Sequence, residues 1–198
     1  MAKKKEDVMT EQQRVEEFIA NQNKFYELYP DCPKPEPIPC LNLILKREYA
    51  EEILCGRKKF EWRAFSEYYV NRLCETKFYD YCDAHQDDDV FNDMMQYATS
   101  LRDVEKVLFH DYNGEWFLEV EVLAVHDVLA TLDNAKYFVD TFNCHDLDEE
   151  AAFCARKKAN GEMAEGDETE FFALELGDVL NTNLDELPED RKKMKRKK

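Results

Sequence analysis

The sequence predicts an α+β fold, with short strands interleaved with helices, an N-terminal helix in front and a helical insertion in the middle. Three observations carry this. Asn113-Gly114 stands between two runs rich in β-branched and aromatic residues, the strongest short-range signal for a hairpin. Apolar residues recur at helical spacing over 10–29 and again over 90–101. A late β-like run, Glu170 to Leu176, follows two further helical stretches, so strands flank helices on both sides.

Residues 10–29 predict an amphipathic helix. Thr10 and Gln13 make a capping box, and Val15, Phe18, Ile19, Phe25, Tyr26 and Tyr29 fall near one face. Five prolines between Pro30 and Pro39 exclude helix and central strand, which makes a stiff connector and places the start of the main domain at residue 40. Leu41 to Leu45 reads as a strand. Lys46 to Cys55 reads as a short helix with Tyr49, Ile53 and Leu54 inward, ended by Gly56 in a left-handed cap. Lys58 to Ala64 resumes as a strand.

Residues 66–102 read as the insertion. Ser66 caps its first helix and the Asp87-Asp88-Asp89 cluster its second, which buries Val90, Phe91, Met94, Met95, Ala98 and Leu101. In the second hairpin strand, Trp116, Leu118, Val120, Val122 and Ala124 share one face, and Phe117, Glu119 and Glu121 the other. Helices are expected at 133–142 and at 148–159, the second capped by Asp148. Everything after Asp178 is polar and reads as loose, with 181–198 a polar and basic tail.

The charge is strongly acidic: 44 Asp and Glu against 27 Lys and Arg, a net charge of −17. Arg191 to Lys198 carries seven basic groups and no acid, so residues 1–190 alone stand at −24. Such a body repels phosphate backbones at long range, which weighs against broad non-specific nucleic-acid binding but leaves room for a local basic pocket. The tail reads either as a phosphate-seeking arm or as a solubilising end. Seven irregularly spaced cysteines without a Cys-x-x-Cys pair read as reduced thiols. Cys74, Cys82 and His85, with Cys144 and His145 further on, match no common zinc spacing, so no metal or other cofactor is expected. With no long apolar run and no apolar stretch behind the charged N-terminus, the expected setting is cytoplasmic, with no membrane contact.

The stretch from Leu41 to Arg63 resembles the opening of ASCH domains, members of the PUA-like superfamily. Their signature Gly-x-Lys-x-x-Glu-x-Arg is met by Gly56, Lys58, Glu61 and Arg63, behind the helix Tyr49-Ala50-x-x-Ile53-Leu54. The resemblance covers 40–180 and leaves out the N-terminal helix, the insertion and the tail. It implies a small PUA-like β-barrel with flanking helices, a fold associated with RNA and modified-nucleoside recognition. It also implies a site with Lys58 and Glu61 as the catalytic pair and Gly56, Arg63 and Lys46 binding substrate. Relatives that deacylate N4-acylated cytidine carry Thr three residues after the lysine, where this chain has Glu61.

The residues themselves allow that chemistry. On an extended strand Glu61 and Arg63 share a face, while Phe60 and Trp62 point the other way. Lys58 joins Glu61 only if it sits in the turn after Gly56, before regular pleating begins. Arg63 then offers a hydrogen-bonding fork to a carbonyl or phosphate. A partly desolvated lysine can act as base or activator. The bland alternative is a Glu61–Arg63 surface ion pair. His110, His126, Glu119 and Glu121 are weaker candidates, and Trp62 and Trp116 read as core. Three functions follow: an RNA or modified-nucleoside binding module, a hydrolase of an N-acylated nucleoside or RNA, or a protein-interaction adaptor using the N-terminal helix and proline connector.

Overall fold

The computed structural model describes residues 11–184. In chain order the elements are α1 (Glu11–Leu28), β1 (Leu41–Ile44), α2 (Arg47–Leu54), β2 (Phe60–Ala64), α3 (Glu67–Leu73), α4 (Lys77–Ala84) and α5 (Asp89–Met94). There follow a 3-10 turn at Met95–Tyr97, β3 (Lys106–His110), β4 (Phe117–Leu129), α6 (Leu132–Phe142), α7 (Asp148–Ala159) and β5 (Glu170–Thr182). The fold is thus mixed α+β, with a curled five-stranded sheet that forms half a barrel. Among the described residues no helix is long and apolar enough to cross a membrane. Thr10, half of the expected capping box, and the basic run 191–198 lie outside the described residues.

Two compact units divide the chain. The first holds α1 and residues 74–101, so the N-terminal helix shares a core with most of the insertion. Phe25, Cys32, Phe78 and Phe91 are buried together, with Phe25 and Tyr29 rings against Phe91 at 5.6 and 5.0 Å. Asp88, within the expected acidic cluster, caps α5 by accepting from the Val90 and Phe91 amides, and its other oxygen accepts from the Tyr29 hydroxyl. The long second helix of the insertion is in fact short. It tightens into the 3-10 turn after Met94, which leaves Val90 56% and Met95 37% exposed, while Phe91 is fully buried. The sequence pattern also missed α4.

The second unit comprises residues 36–73 and 102–184 of the described chain. Its strands run in the order β1-β3-β4-β5-β2, with β1 parallel to β3 and the other pairs antiparallel. The connector contributes too: the Ile38 amide donates to Asp103, and the Glu105 amide donates to Ile38, so pairing begins before residue 40. The hairpin around Asn113-Gly114 forms, with Gly114 at φ +70°. Its loop is longer than the dipeptide implies: the strands close at His110 and Phe117, and Asp111 Oδ1 accepts from the Glu115 amide at 2.7 Å.

β4 and β5 are each thirteen residues long, and register shifts between Glu119 and Ala124 bend them. At the bend a Cβ on Gly177 would lie 2.5 Å from Glu121 Oε2 and 3.0 Å from Leu123 Cδ2, so the strands pass at a residue without a side chain. β5 continues to Thr182, whose hydroxyl donates to the Phe117 carbonyl, and Leu184 is buried. The chain after Asp178 is therefore ordered strand to Thr182. It looked loose because polar residues there pair through their backbone.

Register fixes which side chains share a face. Phe60 and Trp62 lie with Ala173 and Val128 on the face covered by α6 and α7, where Ala135, Phe138, Ala151 and Cys154 complete a buried cluster. Thr131 caps α6; the N-cap position of α7 is the apolar Leu147, so no side chain caps it, and Asp148, its first residue, holds His145 at 2.8 Å instead of capping it. On the other face Glu61 stands opposite Leu174 and Arg63 opposite Phe172, both partners fully buried.

Candidate functional site

The site grows out of the turn between α2 and β2. Gly56 adopts φ +71°, a conformation that costs a side-chain-bearing residue about 1 kcal/mol. The Arg57 and Lys58 amides both fold back onto the Glu52 carbonyl, at 2.9 and 3.1 Å. Regular pleating starts only at Phe60. Lys58 therefore sits in the turn, free of the strand's alternation, and its Nζ lies 3.5 Å from Glu61 Oε2. Arg63 Nη2 lies 3.0 Å from Glu61 Oε1. One carboxylate thus joins two cations.

Glu61 is 6% exposed as a residue, the one buried charged residue among the described residues. Burial raises its pKa, and the neighbouring Lys58 and Arg63 charges oppose that rise without cancelling it. The carboxylate holds a proton more readily than an exposed glutamate does.

The three charged residues of the signature, Lys58, Glu61 and Arg63, do not line one hollow. Lys58 lines a pocket of about 620 Å³ together with Tyr49, Gly56, Arg57 and the loop Phe142–Asp146 after α6. Arg63 lines a different one, of about 470 Å³, with Asn42, Ile44, Tyr68, Tyr69, Arg72 and His110. Glu61 lines neither and lies between their cations. Lys46 precedes α2, is exposed, makes no side-chain cap bond and lines neither pocket. The signature is a buried ionic link between two surface hollows.

Around the first pocket, Asp146 Oδ2 is 3.8 Å from Lys58 Nζ and accepts from Trp62 Nε1 at 3.2 Å. Tyr49, which helical spacing would turn inward, is 44% exposed and lays its ring 5.7 Å from Lys58 Nζ; Ala50 and Ile53 are the buried residues of α2. Asn143 closes α6 in the left-handed region at φ 53°, which swings Cys144, His145 and Asp146 back toward Lys58. The Cys144 thiol is pushed up by burial, which disfavours the thiolate and a role as nucleophile. The wall thus includes the Tyr49 ring, with Phe142 and His145 also lining the hollow, Lys58 held between two carboxylates, and the Asn143 amide side chain. It can stack on a flat ring and exchange hydrogen bonds with its edge.

Around the second pocket, Arg63 Nη1 donates to the Tyr69 hydroxyl and Nη2 also donates to the Ile44 carbonyl, each at 3.1 Å. Arg72 repeats the pattern two residues earlier on β1, donating to the Tyr68 hydroxyl and to the Asn42 carbonyl. β1 and β2 are the two edges of the sheet, so these arginines satisfy outward carbonyls that no strand covers. Nothing in the spacing marked Asp146, Tyr68, Tyr69 or Arg72. The run Phe142-Asn-Cys-His-Asp146 after a helix was the available signal for the first.

Among the weaker candidates, His126 Nε2 meets Glu175 at 3.0 Å and lies near Phe60, His110 lines the second pocket, and Trp116 is buried while Trp62 is half-buried. All seven cysteines are free, and among the described residues no group of three or more His, Cys, Asp or Glu side chains comes together to hold a metal ion. Compared with protein-family models, curated proteins and solved structures, the chain matches none of them.

Proposed function

We propose that this chain is an ASCH-like module of the PUA-like kind that binds RNA or a modified nucleoside in the polar pocket beside Lys58. The observation that carries the reading is the position of Lys58. Its ammonium is held 3.5 Å from the buried Glu61 carboxylate and 3.8 Å from Asp146, on the wall of a hollow of about 620 Å³. A pocket of that size takes one base and its sugar. Tyr49 supplies a stacking face, and Lys58, Asp146 and Asn143 supply donors and acceptors for a base edge. The net charge of −17 favours a compact ligand, or one unpaired base, over a long polyanion held by its backbone. The curled half-barrel sheet is compatible with a PUA-like barrel.

A second reading, hydrolysis of an N-acylated nucleoside or RNA, rests on the raised proton affinity of Glu61 next to Lys58. There Lys58 is the group that meets substrate, and Glu61 sets the charge behind it. Calorimetric titration of the full chain with cytidine, N4-acetylcytidine and a short single-stranded RNA tests both. Saturable binding that Lys58→Ala abolishes supports the module, and release of acetate during the titration moves the assignment to the hydrolase. If none of the three binds, the reading fails.

A further inference from the structure

The second pocket has a chemistry unlike the rest of the molecule. Arg63, Tyr68, Tyr69, Arg72 and His110 are among the residues of its wall. The chain has 44 acidic residues among 198, yet none of them lines this hollow. We propose that it is a site for a compact phosphate monoester, gripped by Arg72 and Arg63. The site is distinct from the pocket beside Lys58: the two hollows share no lining residue, and Glu61 behind them pairs with one cation of each.

Donor supply is the first argument. Arg72 spends one hydrogen on the Tyr68 hydroxyl and one on the Asn42 carbonyl, and its guanidinium has five to give. No carboxylate among the described residues pairs with it. Tyr68 and Tyr69 accept from the two arginines, so their own hydroxyl hydrogens remain to be donated. Arg63 is already paired with Glu61, and only its buried Nε is bonded to no acceptor among the described residues. His110 Nδ1 lies 2.8 Å from the Asp111 carbonyl, which only accepts, so Nδ1 carries the hydrogen and Nε2 of the neutral ring is an acceptor that adds no donor.

Preorganisation is the second. The carbonyls of Ile44 and Asn42 fix one end of each fork, and the Tyr69 and Tyr68 rings lie 5.6 and 5.3 Å from the Arg63 and Arg72 guanidinium carbons. Two planar cations held this way lose little entropy on meeting an oxyanion. A phosphate monoester carries about two charges at neutral pH and three acceptor oxygens; Arg72 supplies a cation unpaired among the described residues, and the Glu61-paired Arg63 fork and the two hydroxyls supply further donors. The acidic body opposes a polyanion threading past it, and short-range contacts are what a small phosphate uses.

The test is calorimetric titration of the full chain with inorganic phosphate and with phenyl phosphate. Both should saturate at one equivalent. Arg72→Gln should weaken them at least ten-fold, and Tyr68→Phe, which deletes only a hydroxyl, a few-fold, with melting temperatures confirming that both variants fold. Arg156→Gln removes the same charge from exposed α7 and should leave affinity within two-fold. Absence of saturable binding, or equal weakening by Arg156→Gln, overturns the proposal. So does an RNA strand without terminal phosphates that displaces phenyl phosphate at equimolar concentration, since the pocket would then read a backbone.

Discussion

Nη2 of Arg63 lies 3.1 Å from the carbonyl oxygen of Ile44, and that bond joins β2 to β1, the two edges of the same sheet. The guanidinium also meets Glu61 and the Tyr69 hydroxyl, so one side chain closes the curl and neutralises a buried carboxylate. Arg63→Lys keeps the charge but cannot supply the fork. The expected cost is about 1–3 kcal/mol from carbonyl and hydroxyl contacts left unmade, read as a lower urea midpoint at unchanged slope. A midpoint equal to wild type would mean that the edge contact contributes nothing.

Phe60, one residue before Glu61, has the opposite role. It is fully buried, with Phe142 and Phe138 rings at 4.9 and 5.1 Å. Phe60→Ala should cost about 3–5 kcal/mol through the cavity it leaves, measured by chemical denaturation. A loss under about 1 kcal/mol would be that of a surface residue and would reverse the assigned faces of β2.

Glu61 sets a pH dependence with a defined sign. Burial raises its pKa in the folded chain, so the folded state binds the proton more tightly than the unfolded chain does. Its contribution to stability is therefore fully present below the ordinary carboxylate value of about 4.3, and declines as pH rises through the folded value. The stability of wild type relative to Glu61→Gln should be greatest near the acidic end and fall toward neutrality. A difference that grows with rising pH would mean that Lys58 and Arg63 outweigh burial.

Glu170 and Asp127 form a carboxyl pair with a pH dependence of its own. Burial, then a hydrogen bond with Asp127 and its charge, raise the Glu170 pKa to about 7. Because the folded value is raised, the pair favours the fold while it holds a proton and loses that contribution as pH rises through about 7. Carbon NMR should show a Glu170 titration near neutrality that drops toward the ordinary range in Asp127→Asn. A midpoint unchanged by that substitution would leave burial as the whole cause.

Most of the fold's parts were legible in the sequence because they follow local rules. Gly56, Asn113-Gly114 and the alternation Leu118, Val120, Val122 each mark an element through backbone freedom or side-chain period. Parity excludes Lys58 from the Glu61 face on a strand running from Lys58, and the Gly56 turn, with pleating delayed to Phe60, is what lets it reach Glu61. What escaped depends on contacts distant in sequence. Phe25 and Phe91 pack together across the proline connector, so α1 and the insertion look like separate appendages. Tyr49 has the spacing of a core residue, but α2 buries Ala50 and Ile53 instead. Glu61 and Arg63 share a strand face and Lys58 reaches Glu61 from the turn, so the three form an ionic link but not one pocket. The two hollows on either side arise from β1 and from the loop 142–146, which no local pattern ties to β2. Lys46 carries no local signal and touches neither hollow.

The central claim is that the turn at Gly56–Lys58 and the loop after α6 form one ligand site. Chemical-shift mapping of the full chain titrated with N4-acetylcytidine tests it most directly. The account predicts saturable amide shifts clustered at residues 56–59 and 142–146, absent from the Lys58→Ala protein, with residues 42–44 and 68–72 unmoved. Saturable shifts confined to residues elsewhere, or none at millimolar nucleoside, would contradict it.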